Sequence, residues 1–287
     1  MRHKAYVLDT QLIHQFIKNA LTEDVGDGDH TSLSTIPAAT QGKAKLIIKE
    51  AGILAGIELA IEIFKEVDAD LRVETLIHDG AEVKVGDIAL TVAGSTHSIL
   101  IAERLVLNCM QRMSGIATTT HRMVSLLKDT KTKILDTRKT TPGLRYLEKW
   151  AVRIGGGVNH RIGLYDMILI KDNHVDYAGG IANAITAAQK YLADQHKNLQ
   201  IEIEVRNLEE LNQVLAIGGV DRIMLDNFSF ENLRAAVALI GGKFTTEASG
   251  GITEANVAEY AACGVDFISM GALTHSVKSL DMSLKAY

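Results

Sequence analysis

"IEIEVRNLEELNQVLAIGGVDRIMLDNFSFENLRAAVALIGGKFTTEAS", residues 201–249, repeats one alternation twice. Short apolar runs of strand length (IEIEV, RIMLD, FTTEA) are separated by NLEELNQVLAIGG and SFENLRAAVALIGG. In those connecting segments apolar residues recur at helical spacing, and each segment ends in glycine, where a helix C-cap belongs. Alternation of strand and helix implies parallel strands joined by right-handed crossovers. The pattern extends outward in both directions. KILD (133–136) and DMILIKD (166–172) precede the stretch, and DFISMG (266–271) follows it, with GGIANAITAAQKYLADQ (179–195) as a further helical connection. The later strand starts recur every ~20–25 residues, the size of a minimal βα unit.

How these runs end matters most. Each turns polar at its C-terminus: Asp136 with Arg138 and Lys139, then Lys171, Glu204, Asp226, Glu247 with Ser249, and Ser269. In a parallel barrel those ends share one rim, and that rim is where barrel enzymes keep their chemistry. An eight-stranded barrel takes ~250 residues, whereas 174 follow position 113. An incomplete, about six-stranded α/β barrel is therefore expected over 114–275. An open doubly wound sheet, which also collects polar residues at strand ends, is the alternative.

Residues 1–113 read differently. GKAKLIIKEAGILAGIELAIEIFKEV (42–67) is a strand, a glycine turn and a helix. LRVETLIHDGAEVKVGDIALTVAGST (71–96) is a set of short strands broken by hairpin-type turns at Asp79-Gly80 and Gly86-Asp87. The reading is a compact α+β domain. Residues 99–128 carry helical periodicity with an interruption at Ser114-Gly115, so one long connecting helix or two in sequence are expected.

Composition narrows the function. Hydrophobic residues make up 47% and charged residues 23% of the 287-residue chain, the balance of a globular protein. A net charge of -5 and a pI near 6.1 argue against a nucleic-acid backbone binder. Aromatics at 5% are too sparse for a base-stacking surface. No stretch approaches the ~20 apolar residues of a membrane span, and the first twenty residues, MRHKAYVLDTQLIHQFIKNA, lack the apolar core of a secretion signal. Cys109 and Cys263 stand in apolar, helix-like contexts outside any CxxC cluster, and read as buried thiols in a reducing compartment, the cytoplasm.

Within this acidic chain, residues 136–161 gather Arg138, Lys139, Arg145, Lys149, Arg153 and Arg161 beside a Gly-Gly-Gly turn. Arg145, Lys149 and Arg153 repeat at helical spacing with Glu148 between them, which reads as a solvated helix face, and Trp150 reads as core. That leaves Arg138, Lys139, Arg161 and Lys171, with His160 alongside, as cations for the rim. Arginine grips carboxylate or phosphate through two parallel hydrogen bonds, while lysine acts as a movable point charge. Glu204 and Asp226 at neighbouring strand ends suit either Mg²⁺ held partly through substrate oxygens or a developing positive charge. Glycine turns in EASGGIT and SMGALT, each opening a helix, suit a phosphate cradle. The GxxxxGK[ST], HExxH and GxSxG patterns are absent, and the scattered histidines argue against zinc.

The segments DTRKTTPGLR (136–145), GGGVNHRIGLYDMILIKDNH (155–174), EIEV, MLDNF, EASGGI and ISMGALTHSVKSLDMSL, with ERLVLNCMQRMSGIAT (103–118) and EDVGDGDHTS (23–32), resemble the signature segments of the quinolinate phosphoribosyltransferases, nearly end to end and in order. The resemblance implies transfer of phosphoribosyl from phosphoribosyl pyrophosphate to quinolinate with Mg²⁺. The products are nicotinate mononucleotide, pyrophosphate and CO2, a step of de novo NAD synthesis. It implies an N-terminal open-faced α+β sandwich over 1–113, to which the tail 276–287 returns, and an incomplete barrel over 114–275. It also implies a homodimer, or a hexamer built of dimers, with no nucleic-acid or membrane partner. By the same resemblance Arg138, His160 and Arg161 line the quinolinate pocket, and Arg104 arrives from a neighbouring subunit. Lys139 and Lys171 reach pyrophosphate and the reacting sugar. Glu204 and Asp226 hold ribose hydroxyls and Mg²⁺. Ser249, Gly250, Gly251, Ser269, Met270 and Gly271 receive the 5′-phosphate, and Thr137 completes the first loop. A relative that takes nicotinate without decarboxylation and a non-catalytic sensor of anionic metabolites are the competing readings.

Overall fold

Each run read as a barrel strand is a strand in the computed structural model, which describes residues 10–287. The first nine residues of the stretch tested for a secretion signal lie outside the described residues. In chain order the elements are α1 (Thr10–Val25), α2 (His30–Thr35), β1 (Gln41–Ile48), β2 (Gly52–Ile53), α3 (Ile57–Val67), β3 (Arg72–Thr75), β4 (Glu82–Val83), β5 (Ile88–Ser95) and α4 (Thr96–Ser125). They continue with β6 (Lys133–Leu135), α5 (Arg145–Ile154), β7 (Ile168–Ile170), α6 (Asp172–Ala178), α7 (Ile181–Asp194), β8 (Ile201–Val205), α8 (Leu208–Ile217), β9 (Arg222–Asp226) and α9 (Phe230–Ile240). The chain ends with β10 (Thr245–Ser249), α10 (Val257–Ala262), β11 (Phe267–Ser269), α11 (Ala272–His275) and β12 (Met282–Ala286).

Six parallel strands run in the order β6-β11-β10-β9-β8-β7. From β7 to β11 each strand lies beside the next in sequence, and β6 closes onto β11. A doubly wound sheet reverses its order at a switch point. This sheet never reverses, so it is a barrel, open between β6 and β7. The interior strand β8 is buried at every position, as a strand covered on both faces must be. The connecting helices start and stop where local chemistry dictates. Asn207 caps α8 by accepting from the Glu210 amide (2.9 Å), Ser229 caps α9, and both helices end at glycines with positive φ.

Contacts divide the chain into two units. One holds the residues up to Thr119 with Pro142–Gly155 and Val277–Tyr287, and the other holds Thr120–Thr141 and Gly156–Ser276. The first unit is built on an antiparallel sheet in the order β12-β1-β5-β3, with the chain's last strand paired to β1 from Ala44↔Ala286 to Ile48↔Met282. Along β1, Ala44, Leu46 and Ile48 are buried and the intervening residues are not, the alternation of a sheet with one covered face. The buried face of α3 (Ile57, Leu59, Ala60, Ile63, Phe64) contributes to this unit's core. The turns at Asp79-Gly80 and Gly86-Asp87 exist but join no hairpin, because two-residue β4 pairs with β2 and β3 pairs with β5.

Two further expectations are decided by packing, the first in favour of one long helix. The Ser114-Gly115 interruption does not break α4, which runs unbroken for 30 residues. Ser114 Oγ donates to the Ala55 carbonyl (3.1 Å) and accepts from its amide (2.8 Å), while Gly115 lets the Lys278 backbone carbonyl approach the helix. Gly115→Ala would place a methyl group inside contact distance of that carbonyl. We expect it to lower the unfolding free energy by about 1–3 kcal/mol, read as a reduced urea midpoint, and an unchanged midpoint would contradict the packing described. Second, α5 is solvated only in part: Arg153 is exposed and Arg145 half-buried, whereas Lys149 lies on the covered side. Lys149 is fully buried, as is Glu148, whose Oε1 accepts from Arg112 Nε (2.8 Å) and Nη2 (2.6 Å) on α4. Lys149 lies one turn from Val152 and so falls on the covered side. This packing places α5 in the first unit, although the sequence boundary at 113 puts it with the barrel. Trp150 is half-buried. Among the described residues no helix is long and apolar enough to cross a membrane.

Candidate active site

Period-two alternation decides which side chains enter the barrel. Glu202 and Glu204 of β8 point one way, as do Arg222, Met224 and Asp226 of β9, Glu247 and Ser249 of β10, and Phe267 and Ser269 of β11. The register puts Glu202 beside Arg222, Glu247 beside Met224 and Phe267, and Ser249 beside Asp226. Two layers result. The upper one, at the C-terminal rim, holds Glu204, Asp226, Ser249 and Ser269. The lower one is also polar, with Glu202, Arg222 and Glu247 buried beneath the rim.

The rim encloses a cavity of about 870 Å³. Thr137, Arg138, Lys139, His160, Arg161, Lys171, Glu204, Asp226, Ser249, Gly250, Gly251, Ser269, Met270 and Gly271 all line it, joined by Asn227, Glu247, Thr253 and His275. Arg104 is exposed on α4 and is not among the lining residues.

Local bonds hold these groups in place. Buried Asp136, at the end of β6, accepts from the His160 amide (2.8 Å) and Asn159 Nδ2 (2.5 Å), which ties the 155–161 loop to the barrel. His160 Nδ1 accepts from the Arg161 amide (2.7 Å), and Arg161 Nη1 donates to the Met167 carbonyl (3.1 Å). Lys171 reaches Glu204 Oε2 at 3.2 Å, and its amide donates to His174 Nδ1 (2.9 Å), which starts α6. The Lys139 carbonyl accepts from Thr274 Oγ1 (2.7 Å). Asn227 adopts a left-handed backbone (φ 55°), donates its amide to the Ser249 carbonyl (2.8 Å) and its Nδ2 to Asp226 Oδ2 (2.6 Å). Gly250 has φ +94°, and a Cβ there would run into the Asn227 side chain, so this position admits only glycine.

The electrostatics reflect crowded like charges. Burial, then the neighbouring Arg138, pulls the Arg161 guanidinium below its usual range, so the two like charges are held close together. Burial raises the Glu204 carboxyl, opposed by Lys171 and assisted by Asp226. Glu204 and Asp226 are therefore hard oxygen donors close enough to feel each other at the cavity wall, a set that fits a Mg²⁺ ion. His160, Glu202 and Glu247 also have metal-ligand spacing, with ligand atoms within 4.8 Å of one another. There, however, the cation is Arg222, whose Nη1 lies 2.9 Å from Glu247 Oε2 and 3.9 Å from Glu202 Oε2.

Burial, then the charge of Glu202, pushes the Glu247 carboxyl from its ordinary 4.5 up to about 7. Below pH 4.5 the group is protonated folded or unfolded. Between 4.5 and 7 the folded chain keeps a proton that the unfolded chain has released, so rising pH favours unfolding through this group. We expect the stability of the parent relative to Glu247→Gln to fall by ~3 kcal/mol between pH 4 and pH 8. Urea unfolding across that range reads it, and parallel profiles would refute it.

A partial α/β barrel whose rim carries paired arginines, lysines, two acids and glycine turns around one cavity defines a barrel enzyme acting on multiply charged anions. Comparison with known proteins makes the class specific. Residues 29–114 match the model of the quinolinate phosphoribosyl transferase N-terminal domain, and residues 116–285 match that of its C-terminal domain. The chain is 49% identical over 94% of its length, and 81% of the relative's, to a chloroplastic nicotinate-nucleotide pyrophosphorylase [carboxylating] of Arabidopsis thaliana. It is 43% identical, covering 95% and 92%, to a probable nicotinate-nucleotide pyrophosphorylase [carboxylating] of Bacillus subtilis. The solved structure of the nicotinate-nucleotide pyrophosphorylase from Francisella tularensis superposes with a TM-score of 0.92 at 40% identity over 100% of both chains. The chain belongs to the quinolinate phosphoribosyltransferase family.

Sequence reasoning left out Asn227, Glu202 and Arg222. The last two were visible as period-two partners of Glu204, Met224 and Asp226. Asn227 carries no signal beyond the known tolerance of asparagine for left-handed backbone.

Proposed function

We propose that the chain transfers the phosphoribosyl group of phosphoribosyl pyrophosphate to the ring nitrogen of quinolinate. The 2-carboxylate leaves as CO2, and the other products are nicotinate mononucleotide and pyrophosphate, a step of NAD biosynthesis. The observation that carries this reading is the meeting of Arg138, Arg161, Lys139, Lys171, Glu204, Asp226 and the Gly250-Gly251 turn on one cavity. Arg138 and Arg161 take the two carboxylates, with His160 beside them. Lys139 and Lys171 neutralise pyrophosphate as the anomeric C–O bond breaks and its electron pair leaves with the diphosphate. Glu204 and Asp226 face the positive charge that develops on the sugar, and the backbone amides of the glycine turn receive the 5′-phosphate. The nitrogen lone pair then forms the new C–N bond. The resulting ring cation stabilises the electron pair left on the ring carbon when CO2 departs, and a proton takes its place. Holding two mutually repelling anions in contact is the main task, and positioning of that kind contributes several kcal/mol.

Glu204 and Asp226 would hold Mg²⁺, which, when bound, adds charge neutralisation for the leaving diphosphate. We place the reaction in the cytoplasm, a reading supported by two buried, unpaired cysteines. We also infer a homodimer, or a hexamer of such dimers, in which Arg104 serves the quinolinate pocket of a neighbouring subunit. Its exposure on α4 supports that reading. Quinolinate labelled in its 2-carboxylate tests the chemistry. Labelled CO2 should appear mole for mole with pyrophosphate, and nicotinate offered instead should yield no pyrophosphate. Turnover of nicotinate with quinolinate inert would replace this reading with that of a non-decarboxylating relative.

A further inference from the structure

Barrel interiors are ordinarily filled with branched apolar side chains, yet the layer beneath this rim holds Glu202, Arg222 and Glu247, all buried. Burying such groups costs more than apolar packing would and is poor evidence for stability. Their geometry points to another use. Arg222 lies over the Phe267 ring at 4.6 Å and holds Glu247 Oε2 at 2.9 Å. The two carboxylates then converge on one atom: His160 Nε2 lies 3.0 Å from Glu202 Oε2 and 3.5 Å from Glu247 Oε2. Glu202 Oε2 is the nearer of the two, and a proton on Nε2 meets it more favourably than a lone pair would. That leaves Nδ1 with its lone pair, and Nδ1 is the atom that accepts the Arg161 amide at 2.7 Å.

We propose that Glu202, with Glu247 and Arg222, is a positioning residue that selects the Nε2–H form of His160 and so keeps the Arg161 guanidinium aimed at the quinolinate carboxylates. The inference deepens the proposed function and rests on it for the identity of the anion. Glu202 does not line the cavity, so it acts through His160 and not on substrate. With the proton on Nδ1 instead, imidazole and amide hydrogens would face each other, and the loop carrying Arg161 would move. Misplacement of a binding group by an ångström costs up to about 100-fold.

Two readouts decide the matter. Nitrogen-15 spectra of histidine-labelled protein report the tautomer directly. The unliganded parent should show a protonated Nε2 and a bare Nδ1 for His160, and the reverse would overturn the proposal even if every variant misfolded. Kinetics supply the second readout. Glu202→Gln should raise the quinolinate KM by about tenfold, leaving kcat and the KM for phosphoribosyl pyrophosphate within about twofold. In a His160→Asn background, where an amide oxygen accepts the Arg161 amide whatever sits below, adding Glu202→Gln should change the quinolinate KM by less than about twofold. An equal effect in both backgrounds would mean a general structural role and would overturn the proposal. Absence of turnover in the parent itself would strike the proposed function, while the tautomer would still be read.

Discussion

Arg138→Ala should raise the quinolinate KM and lower kcat/KM for quinolinate by at least ~100-fold, the equivalent of ~3 kcal/mol of charged hydrogen bonding. Arg138 sits on the loop after β6, exposed at the cavity mouth, close enough to lower the proton affinity of Arg161. In the proposed reaction, two guanidiniums held side by side form a preorganised receptor for two carboxylates. Removing one takes away a bidentate contact and leaves a carboxylate desolvated with no partner. Because Arg138 is exposed, the fold should not suffer, and the melting temperature should stay within a few degrees of the parent. Parent-like steady-state kinetics in this variant would remove Arg138 from the quinolinate site.

Glu204→Gln should leave both substrate KM values within a few-fold and lower kcat by roughly 100- to 1,000-fold, as for loss of one preorganised electrostatic contact to a transition state. Glu204 is almost fully buried at the cavity wall, and Lys171 Nζ lies 3.2 Å from its Oε2. In the proposed reaction its charge faces the sugar carbon as the diphosphate leaves. The amide is nearly isosteric, so what changes is charge. It would also leave Lys171 without its counter-charge, which strengthens the lysine's pull on ground-state diphosphate. For that reason kcat, and not the KM for phosphoribosyl pyrophosphate, carries the effect. A kcat within about fivefold of the parent would place Glu204 outside the reacting centre.

The C-terminal half was legible because parallel strands demand long apolar runs and their helices demand caps. IEIEV, RIMLD and DMILIKD declare themselves as strands, and Asn207, Ser229, Gly218 and Gly241 mark helix ends. The rim followed from one rule, that polarity accumulates at strand C-termini, and that rule located Lys171, Glu204 and Asp226 without a register. Three things escaped, each for a non-local reason. Lys149 looked solvated because its burial depends on what covers α5, a contact partner far away in the chain. Gly115 left one helix or two open because its cost of about 1 kcal/mol in an isolated helix is set against close packing with the Lys278 carbonyl. The turns at Gly80 and Gly86 looked like hairpins because turn chemistry specifies a reversal, whereas pairing partners are chosen by the whole sheet. The polar layer of Glu202, Arg222 and Glu247 was legible in part. The alternation is plain in the letters, but only the strand register brings those residues beneath His160.

The central claim is that one cavity brings a pyridine dicarboxylate and a phosphoribosyl donor into reaction. Purified protein incubated with quinolinate, phosphoribosyl pyrophosphate and Mg²⁺, followed by quantitation of nicotinate mononucleotide, tests it most directly. The account predicts saturable formation of nicotinate mononucleotide that requires both substrates and is matched by equal pyrophosphate. No nucleotide product from folded protein under those conditions would contradict it.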